Sequence, residues 1–319
     1  MYLGIDLGGT NIAAGLVDKT GKIFCNASVP TLKERHWSEI VRDMAFLAKQ
    51  IITESGYSIN TIKAVGIGCP GSVDKENGVV VYSNNIVMHN VPLASEFRKY
   101  LDLPVYLEND ANAAALGEYT TCEEGIDSFV FMTLGTGVGG GIILYGKVWS
   151  GFNGAGAEIG HQTLIYNGKP CTCGRRGCLE AYASVSALIE QTKESMVKHP
   201  ESLMNAWFKE HGQITGRTSF ECAKQGDNAA IAVRDQYIEY VAEGICSIVN
   251  VLQPRVLAIG GGISREGDTL LDPIKAYFAA NDYNKHMKKT DIRIAKLFGE
   301  AGIVGAAKAA EAKITQQFI

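Results

Sequence analysis

Asp6-Leu7-Gly8-Gly9-Thr10-Asn11 joins two short apolar runs near the start of the 319-residue chain. The runs, 2–6 and 12–17, predict two strands with a glycine turn between them. A similar arrangement returns further along, where Thr133-Leu134-Gly135 ends the predicted strand 128–134 and leads into another hairpin. Asp6 and Thr133 lie 127 residues apart, and the order of elements repeats with them, so the pattern indicates two duplicated halves.

The rest of the chain alternates between strand-like and helix-like segments. Further strands are predicted at 22–29, 64–68, 104–107, 142–144 and 255–259. Helices are predicted at 38–54 with Ser38 as the capping residue, and at 93–100, 111–119, 180–210, 229–251 and 303–312. Alternation of this kind predicts an α/β fold with parallel strand pairs. At about 150 residues per domain, the length predicts two domains.

The composition narrows the class of protein. A 46% hydrophobic fraction is ordinary for folded domains, and the net charge of −4 argues against nucleic acid as a partner. No apolar run reaches the roughly 18 residues that a membrane span needs, and the N-terminus does not resemble a signal peptide. We therefore expect a cytoplasmic protein with no membrane partner. Glycine is in excess, with 36 residues in the chain, and the excess is clustered after short apolar runs.

The second glycine turn, Gly135-Thr136-Gly137-Val138-Gly139-Gly140, fits the spacing G-x-G-x-x-G. A dinucleotide site needs a helix after this turn, whereas the residues that follow predict a hairpin. Backbone N–H groups of a glycine hairpin can still hold phosphate, and Asp6 at a strand end could hold Mg²⁺ through water. Either hairpin alone is more simply a structural turn. The pair, with a third glycine run at Gly260–Gly262, favours a nucleotide site.

Three of the eight cysteines are clustered. Cys171, Cys173 and Cys178 follow His161, and one His with three Cys makes a closed tetrahedral Zn²⁺ set. Such a site has no open coordination position, so the metal would be structural. A redox pair or reactive thiol is the alternative, since Arg175 and Arg176 would lower a thiol pKa. The other cysteines are interpreted as buried apolar residues, namely Cys25, Cys69, Cys122, Cys222 and Cys246.

Asp110 lies where a predicted strand ends and a helix begins, which is where α/β folds present ligands. Capping of that helix is an equally good interpretation from the residues alone. Glu158 and Glu180, taken singly, are more simply solvated surface residues. Gly71, which follows Cys69-Pro70, is consistent with a type II turn.

Asp6–Asn11, Leu134–Gly140 and Ile259–Gly262 resemble the phosphate and adenosine motifs of the actin-like ATPase and sugar-kinase superfamily. Within it, residues 2 to about 309 resemble the ROK family of bacterial sugar kinases and related repressors. The resemblance implies a duplicated actin-like (ribonuclease H-like) α/β fold of two lobes, with ATP and sugar in the cleft between them. The expected small lobe is 1–112 plus 303–319, and the large lobe is 113–302 with a zinc loop at 161–180.

The resemblance also implies roles for individual residues. Asp110 matches the catalytic aspartate that takes the proton of the sugar 6-hydroxyl. The His161–Glu180 segment matches the family's zinc motif H-x(9)-C-x-C-G-x-x-G-C-x-E, with His161, Cys171, Cys173 and Cys178 as ligands. The implied sugar-binding residues are Gly71, Asn109, Asp110, Glu158, His161 and Glu180. The implied nucleotide-binding residues are Asp6, Gly8, Gly9, Thr10, Asn11, Thr136, Gly137, Gly261 and Gly262.

The implied activity is ATP- and Mg²⁺-dependent phosphorylation of a hexose at its 6-hydroxyl, with glucose to glucose 6-phosphate preferred. N-acetylglucosamine, N-acetylmannosamine and allose are alternative substrates, because kinases for them share these motifs. Met88 stands where the family often has an aromatic residue beside the sugar, a departure that bears on hexose preference. A sugar-sensing regulator is the remote alternative, and we expect no DNA-binding domain before the motif at Asp6. A homodimer is expected from the resemblance only.

Overall fold

The computed structural model describes residues 1–83 and 85–315. The strands are β1 (Tyr2–Leu7), β2 (Asn11–Val17), β3 (Ile23–Pro30), β4 (Val65–Cys69), β5 (Ser72–Asp74), β6 (Val79–Ser83), β7 (Met88–Val91), β8 (Val105–Asn109), β9 (Ser128–Leu134), β10 (Val138–Leu144), β11 (Lys147–Val148), β12 (Val256–Gly260) and β13 (Asp291–Ile294). The helices are α1 (Trp37–Ser55), α2 (Leu93–Arg98), α3 (Asp110–Tyr119), α4 (Glu180–Ala183), α5 (Val185–Lys198), α6 (Leu203–His211), α7 (Thr218–Lys224), α8 (Asn228–Leu252), α9 (Asp268–Asn281) and α10 (Ala301–Thr315).

Two five-stranded sheets share one strand order. The first runs β3-β2-β1-β4-β8, antiparallel from β3 to β1 and parallel from β1 to β8. The second runs β11-β10-β9-β12-β13, with β10 antiparallel to β11 and β12 parallel to β13. Each sheet therefore has a hairpin ribbon on one side and crossover strands on the other. This repeat is the structural form of the duplication predicted from Asp6 and Thr133.

The chain divides into two compact units. The first comprises Met1–Phe131, Gly141–Ala157 and the residues from Lys296 onward. The second comprises Met132–Gly140 and Glu158–Ala295. These divisions differ from the lobe limits implied by the resemblance, which stay a prediction and whose last four residues, 316–319, lie outside the described part of the chain. A small antiparallel sheet, β5-β6-β7, belongs to the first unit and was not predicted from the sequence.

The prediction of a single long helix at 180–210 is wrong. The segment forms three helices, α4, α5 and α6. Ser184 interrupts the first two, because its backbone is extended and its hydroxyl accepts the N–H of Ala187 as the cap of α5. Pro200 lies between α5 and α6, where its ring prevents the helix from continuing. The cap of α1 also differs from the prediction, since the ring of His36 accepts the Ser38 N–H.

Helix α10 packs against the first sheet and α3 at backbone distance. A Cβ atom at Gly305 would lie 1.6 Å from the carbonyl oxygen of Ala113 on α3. A Cβ atom at Gly66 on β4 would lie 1.8 Å from the carbonyl oxygen of Ala306. Each approach is possible only because the residue at position 305 or 66 is glycine and has no Cβ atom. They place the second turn of α10 directly against α3 and the beginning of β4.

Replacing Gly305 by Ala should destabilise the first unit, because the new methyl group meets backbone that cannot move without displacing α3. We expect Gly305→Ala to lower the free energy of unfolding by about 3 kcal/mol in urea titrations. Gly299→Ala is the matched control, since a Cβ there meets nothing within 4 Å, and it should change stability by less than about 0.5 kcal/mol. Equal effects of the two substitutions would contradict the close packing of α10.

Within the described residues 1–83 and 85–315, no helix is long and apolar enough to cross a membrane.

Candidate active site

Asp6 is the next-to-last residue of β1 and lies beside the first turn of α10. Its Oδ2 atom would lie 2.4 Å from a Cβ at Gly302, so only glycine fits there. Burial, and secondarily the carboxylate of Asp110, raise the pKa of Asp6 to about 7. Two carboxylates in one partly buried place disfavour double ionisation unless a cation joins them. The pair therefore has the donor chemistry that suits Mg²⁺.

The turn after Asp6 presents its backbone to solvent. Gly8 donates its N–H to the carbonyl of Asn11 at 3.0 Å, which closes the turn. The Thr31 hydroxyl donates to the Gly8 carbonyl at 2.6 Å, and the Thr31 N–H donates to the Thr10 carbonyl at 2.8 Å. Thr10 and Asn11 are exposed, and Gly8 and Gly9 are half-buried. The loop is thus held from behind, with its polar groups accessible to a ligand.

The raised pKa of Asp6 predicts a pH dependence of stability. Between its ordinary value of 3.8 and about 7, the folded chain binds the proton more tightly than the unfolded chain. The stability that Asp6 contributes is therefore full below about pH 4 and is lost as the pH rises through about 7. We expect Asp6→Asn to flatten the decline by more than about 1 kcal/mol in magnesium-free urea titrations. Asp102→Asn, at a fully exposed side chain, should leave the decline unchanged; matching curves for wild type and Asp6→Asn would contradict the assignment.

Asp110 is the first residue of α3, but it does not cap the helix. Asn109 is the cap, since its Oδ1 accepts the N–H of Asn112 at 3.1 Å. The Nδ2 group of Asn109 donates to the carbonyl of Gly71 at 3.1 Å. Gly71 has a φ of +91°, and a Cβ there would lie 2.1 Å from the carbonyl of Tyr82. The capping interpretation of Asp110 is therefore wrong, and its carboxylate lies at the positive end of the α3 dipole.

In the second unit, the turn between β9 and β10 carries Thr136 and Gly137. Gly135 closes this turn by donating its N–H to the Gly137 carbonyl at 3.0 Å. The start of α5 supports it, since Val185 donates its N–H to Gly135 and the Ser186 hydroxyl donates to the Thr136 carbonyl. Thr136 itself is exposed. Strand β10 follows the turn directly, as the hairpin interpretation predicted, and no dinucleotide-type helix begins there.

The third glycine run packs against the same hairpin. Gly261 has a φ of +86°, and a Cβ there would lie 2.1 Å from the carbonyl of Leu134. A Cβ at Gly262 would meet nothing within 4 Å, so this residue borders open space. The structure therefore brings Gly261 and Gly262 beside the start of the second glycine turn.

His161, Cys171, Cys173 and Cys178 form one cluster. Their candidate ligand atoms all lie within 4.8 Å of one another. The Sγ atoms of Cys173 and Cys178 are 3.7 Å apart, and the Sγ of Cys171 is 3.7 Å from the Nδ1 of His161. Zn–S bonds of about 2.3 Å in a tetrahedron place neighbouring sulfurs about 3.8 Å apart. The four residues therefore fit a zinc ion, with the Nδ1 of His161 facing it.

Backbone geometry shapes the cluster. Gly174 and Gly177 have φ values of +86° and +80°, and a Cβ at Gly177 would lie 1.7 Å from the carbonyl of Ile165. Arg175 donates to the carbonyl of His161 and the hydroxyl of Thr163, each at 3.0 Å. The N–H of Arg175 lowers the pKa of the Cys173 thiol, which favours the thiolate that a metal binds.

Glu180 connects the cysteine loop to the glycine turn. Its Oε2 accepts the N–H of Val138 at 2.9 Å, and its Oε1 accepts the hydroxyl of Thr172 at 3.2 Å. No sequence pattern predicts this bridge, because it joins residues that are 42 positions apart. Glu158 is exposed, and its carbonyl accepts the N–H of His161 at 3.0 Å.

Met88 and the cysteines outside the His161 cluster differ in how deeply they are buried. Met88 is buried in the core of the first unit, where it packs among other apolar residues. Cys69, Cys222 and Cys246 are buried as predicted. Cys25 and Cys122 are only partly buried, so that interpretation is wrong for them.

Comparison with known proteins identifies the family. The profile of the ROK family matches residues 2–313. A glucokinase of Thermotoga maritima is 37% identical over 316 residues, covering 98% of both chains. A ROK family glucokinase from Streptomyces griseus, solved in complex with glucose and AMPPNP, is 35% identical with a TM-score of 0.84, covering 97% of this chain and 99% of that one. A ROK hexokinase from Thermus thermophilus is 33% identical with a TM-score of 0.80, covering 99% of each. These findings confirm the expected actin-like α/β fold, and the chain belongs to the ROK family.

Proposed function

We propose that this protein is an ATP-dependent hexokinase that converts glucose to glucose 6-phosphate. The observation that carries the proposal is the position of Asp110. It starts α3 without capping it, next to Asn109 and close enough to Asp6 to raise its pKa. A carboxylate in that position can accept a proton from a bound hydroxyl. The glucokinase relatives, of which one is solved with glucose and AMPPNP, support this substrate pair.

In the proposed reaction, the carboxylate of Asp110 accepts the proton of the glucose 6-hydroxyl as that oxygen attacks the γ-phosphorus of ATP. A bond forms between the sugar oxygen and the γ-phosphorus, the bond to the bridging oxygen breaks, and ADP leaves. Asp110 lies in the first turn of α3, where the helix dipole favours a negative charge. Proton transfer of this kind contributes about 10²–10⁴-fold to the rate.

The proposed sugar ligands present both neutral and charged acceptors. Glu158 and Glu180 suit hydroxyl donors, because ionised acceptors strengthen each hydrogen bond. Asn109 offers an amide, and His161 can donate through its ring N–H. Gly71 would contact the sugar through its backbone. The proposed nucleotide ligands are the first glycine turn with Asp6, Gly8, Gly9, Thr10 and Asn11, and in the second unit Thr136, Gly137, Gly261 and Gly262.

Two metals complete the proposal. Asp6 would hold Mg²⁺, which when bound with ATP neutralises charge that develops on the transferred phosphoryl group. His161, Cys171, Cys173 and Cys178 would hold a structural Zn²⁺. With Nδ1 of His161 on the zinc, the Nε2 nitrogen keeps its proton and can donate to a sugar hydroxyl. The redox alternative for the cysteines is less well supported, because a disulfide would join only two of the four ligand atoms that the structure gathers in this cluster.

The sugar, the assembly and the location of the protein are further parts of the proposal. N-acetylglucosamine, N-acetylmannosamine or allose would use the same catalytic residues, and they remain the alternatives to glucose. A homodimer and a cytoplasmic location are proposed from the family. Because Met88 is buried, we infer that it does not take the place of a sugar-contacting aromatic residue.

The test is ADP release from Mg-ATP with glucose, mannose, allose, fructose, N-acetylglucosamine and N-acetylmannosamine. Glucose should give the highest kcat/KM, and the product should carry its phosphate on the 6-hydroxyl. A different preferred sugar would retain the chemistry and overturn the substrate. No turnover with any of the six sugars, in protein that contains zinc, would overturn the kinase proposal for these substrates.

A further inference from the structure

We propose that Glu108 and Lys75 are a pair of positioning residues, which hold the strand end carrying Asn109 and Asp110 in place for phosphoryl transfer. Neither residue is among the predicted ligands of sugar, nucleotide or metal. The inference deepens the proposed function and rests on it. It is carried by an ion pair that sits directly behind the proposed base.

The ion pair is close and mostly sheltered from solvent. The Nζ of Lys75 lies 2.6 Å from Oε1 and 2.7 Å from Oε2 of Glu108. The Glu108 side chain is 7% exposed and that of Lys75 is 25% exposed. A buried carboxylate without a partner is costly, so Glu108 keeps its place only with Lys75 beside it. Exposed ion pairs contribute little, and this one differs from them in its burial.

Glu108 also fixes the backbone that follows it. Its Oε1 accepts the N–H of Asn109 at 3.0 Å, which sets the orientation of that peptide at the end of β8. The side chain of Asn109 in turn holds the Gly71 carbonyl and caps α3, the helix that begins with Asp110. The Glu108 carboxylate therefore supports the peptide of Asn109 directly and, through Asn109, the start of α3 at Asp110, and both residues have proposed roles in the reaction.

Lys75 connects this strand end to a different element. It follows β5 in the turn before β6, and Gly71 directly precedes β5. The small sheet is consequently fastened to the end of β8 at two points, the Lys75–Glu108 ion pair and the Asn109–Gly71 hydrogen bond. Two attachments restrict rotation as well as separation. This restriction is what a base needs, since a misplacement of about 1 Å can cost about 10²-fold in rate.

Lys75 also balances charge, because several carboxylates lie close together at this strand end. The carboxylates of Asp110, Glu108 and Asp6 all lie near the buried thiol of Cys69, whose pKa is raised first by burial and then by these charges. Lys75 neutralises the Glu108 charge in this acidic neighbourhood. Without it, the unpaired Glu108 would move toward solvent, and the Asn109 peptide would lose its acceptor.

The experiment measures kcat and both KM values for Glu108→Gln, Lys75→Met and Lys75→Arg, well below the unfolding temperature of every variant. We expect Glu108→Gln and Lys75→Met to lower kcat at least about tenfold, with the KM for ATP within about threefold of wild type. Lys75→Arg retains the charge and should stay within about threefold of wild type in kcat. A kcat within twofold of wild type for Glu108→Gln would overturn the proposal.

A matched control separates positioning from a loss of stability. Asp282 is another buried carboxylate, 1% exposed, and it pairs with Lys289 in the second unit. Asp282→Asn should lower the unfolding temperature as Glu108→Gln does, yet leave kcat unchanged. If the two variants lose kcat equally at equal loss of stability, Glu108 has no specific positioning role.

Hydrogen–deuterium exchange supplies a readout that does not depend on turnover. Glu108→Gln should speed the exchange of peptides that span 105–112, whereas Asp282→Asn should not. Unchanged exchange in Glu108→Gln would overturn the positioning role. Wild-type protein that phosphorylates none of the sugars would overturn the proposed function instead, and the exchange comparison would still decide whether the pair holds the strand end.

Discussion

Asp110→Asn is expected to lower kcat for glucose phosphorylation at least about 100-fold, which is the loss that follows when a general base is removed. Asparagine keeps the size of the side chain and can still accept the N–H of Ala111, which the Asp110 Oδ1 accepts at 2.8 Å. Helix α3 should form as before, because its cap is Asn109. The substitution therefore removes the proton acceptor, and with it the charge that raises the pKa of Asp6, while it keeps the start of α3.

The measurement is steady-state ADP release with saturating Mg-ATP, together with the Kd for glucose by calorimetry. The Kd should change less than about tenfold, so the loss lies in the chemical step. Asp102→Asn is the control, since the Asp102 side chain is fully exposed beside Arg98 and should keep wild-type kcat. A kcat for Asp110→Asn within about tenfold of wild type would remove Asp110 from the role of base.

Much of the fold could be predicted because it depends on local pattern. The strand at 128–134 was predicted to the residue, and the two glycine turns were placed between the correct strands. The duplication was visible because each half places its glycines after the same kind of apolar strand. The cysteine cluster was equally predictable, since His161 and the three cysteines have the spacing of a closed metal site.

Contacts between distant segments could not be predicted in the same way. Whether Asn109 or Asp110 caps α3 depends on the residue at which the helix begins, and a shift of one position exchanges the two. Both residue types cap helices well. The Glu180–Val138 hydrogen bond and the Lys75–Glu108 ion pair each join residues that are far apart along the chain. No helix or strand repeat predicts contacts at such separations. The close packing of α10 was hidden because an isolated glycine in a helix more often signals a weak point than a contact.

Cys178→Ser is expected to abolish zinc binding and to destabilise the second unit strongly. Cys178 is fully buried, and its Sγ lies 3.7 Å from that of Cys173. Serine is a poor zinc ligand, and structural zinc binding contributes about 10 kcal/mol or more to folding in small zinc domains. We expect the zinc content to fall from about one ion per chain to less than about 0.1, and the free energy of unfolding to fall by at least about 4 kcal/mol.

Cys222→Ser is the matched control, because Cys222 is equally buried and lies outside the cluster. It should cost about 1–3 kcal/mol for the buried hydroxyl and retain one zinc per chain. The comparison also tests the proposed sugar site, since His161 and Glu180 are both held by the cysteine loop. Loss of zinc should therefore raise the KM for glucose at least about tenfold, with a smaller effect on the KM for ATP.

Metal analysis that finds no zinc in wild-type protein, or a Cys178→Ser variant as stable as Cys222→Ser, would contradict the zinc site. A stable, zinc-free variant with wild-type KM for glucose would show that the loop holds these two residues without a metal.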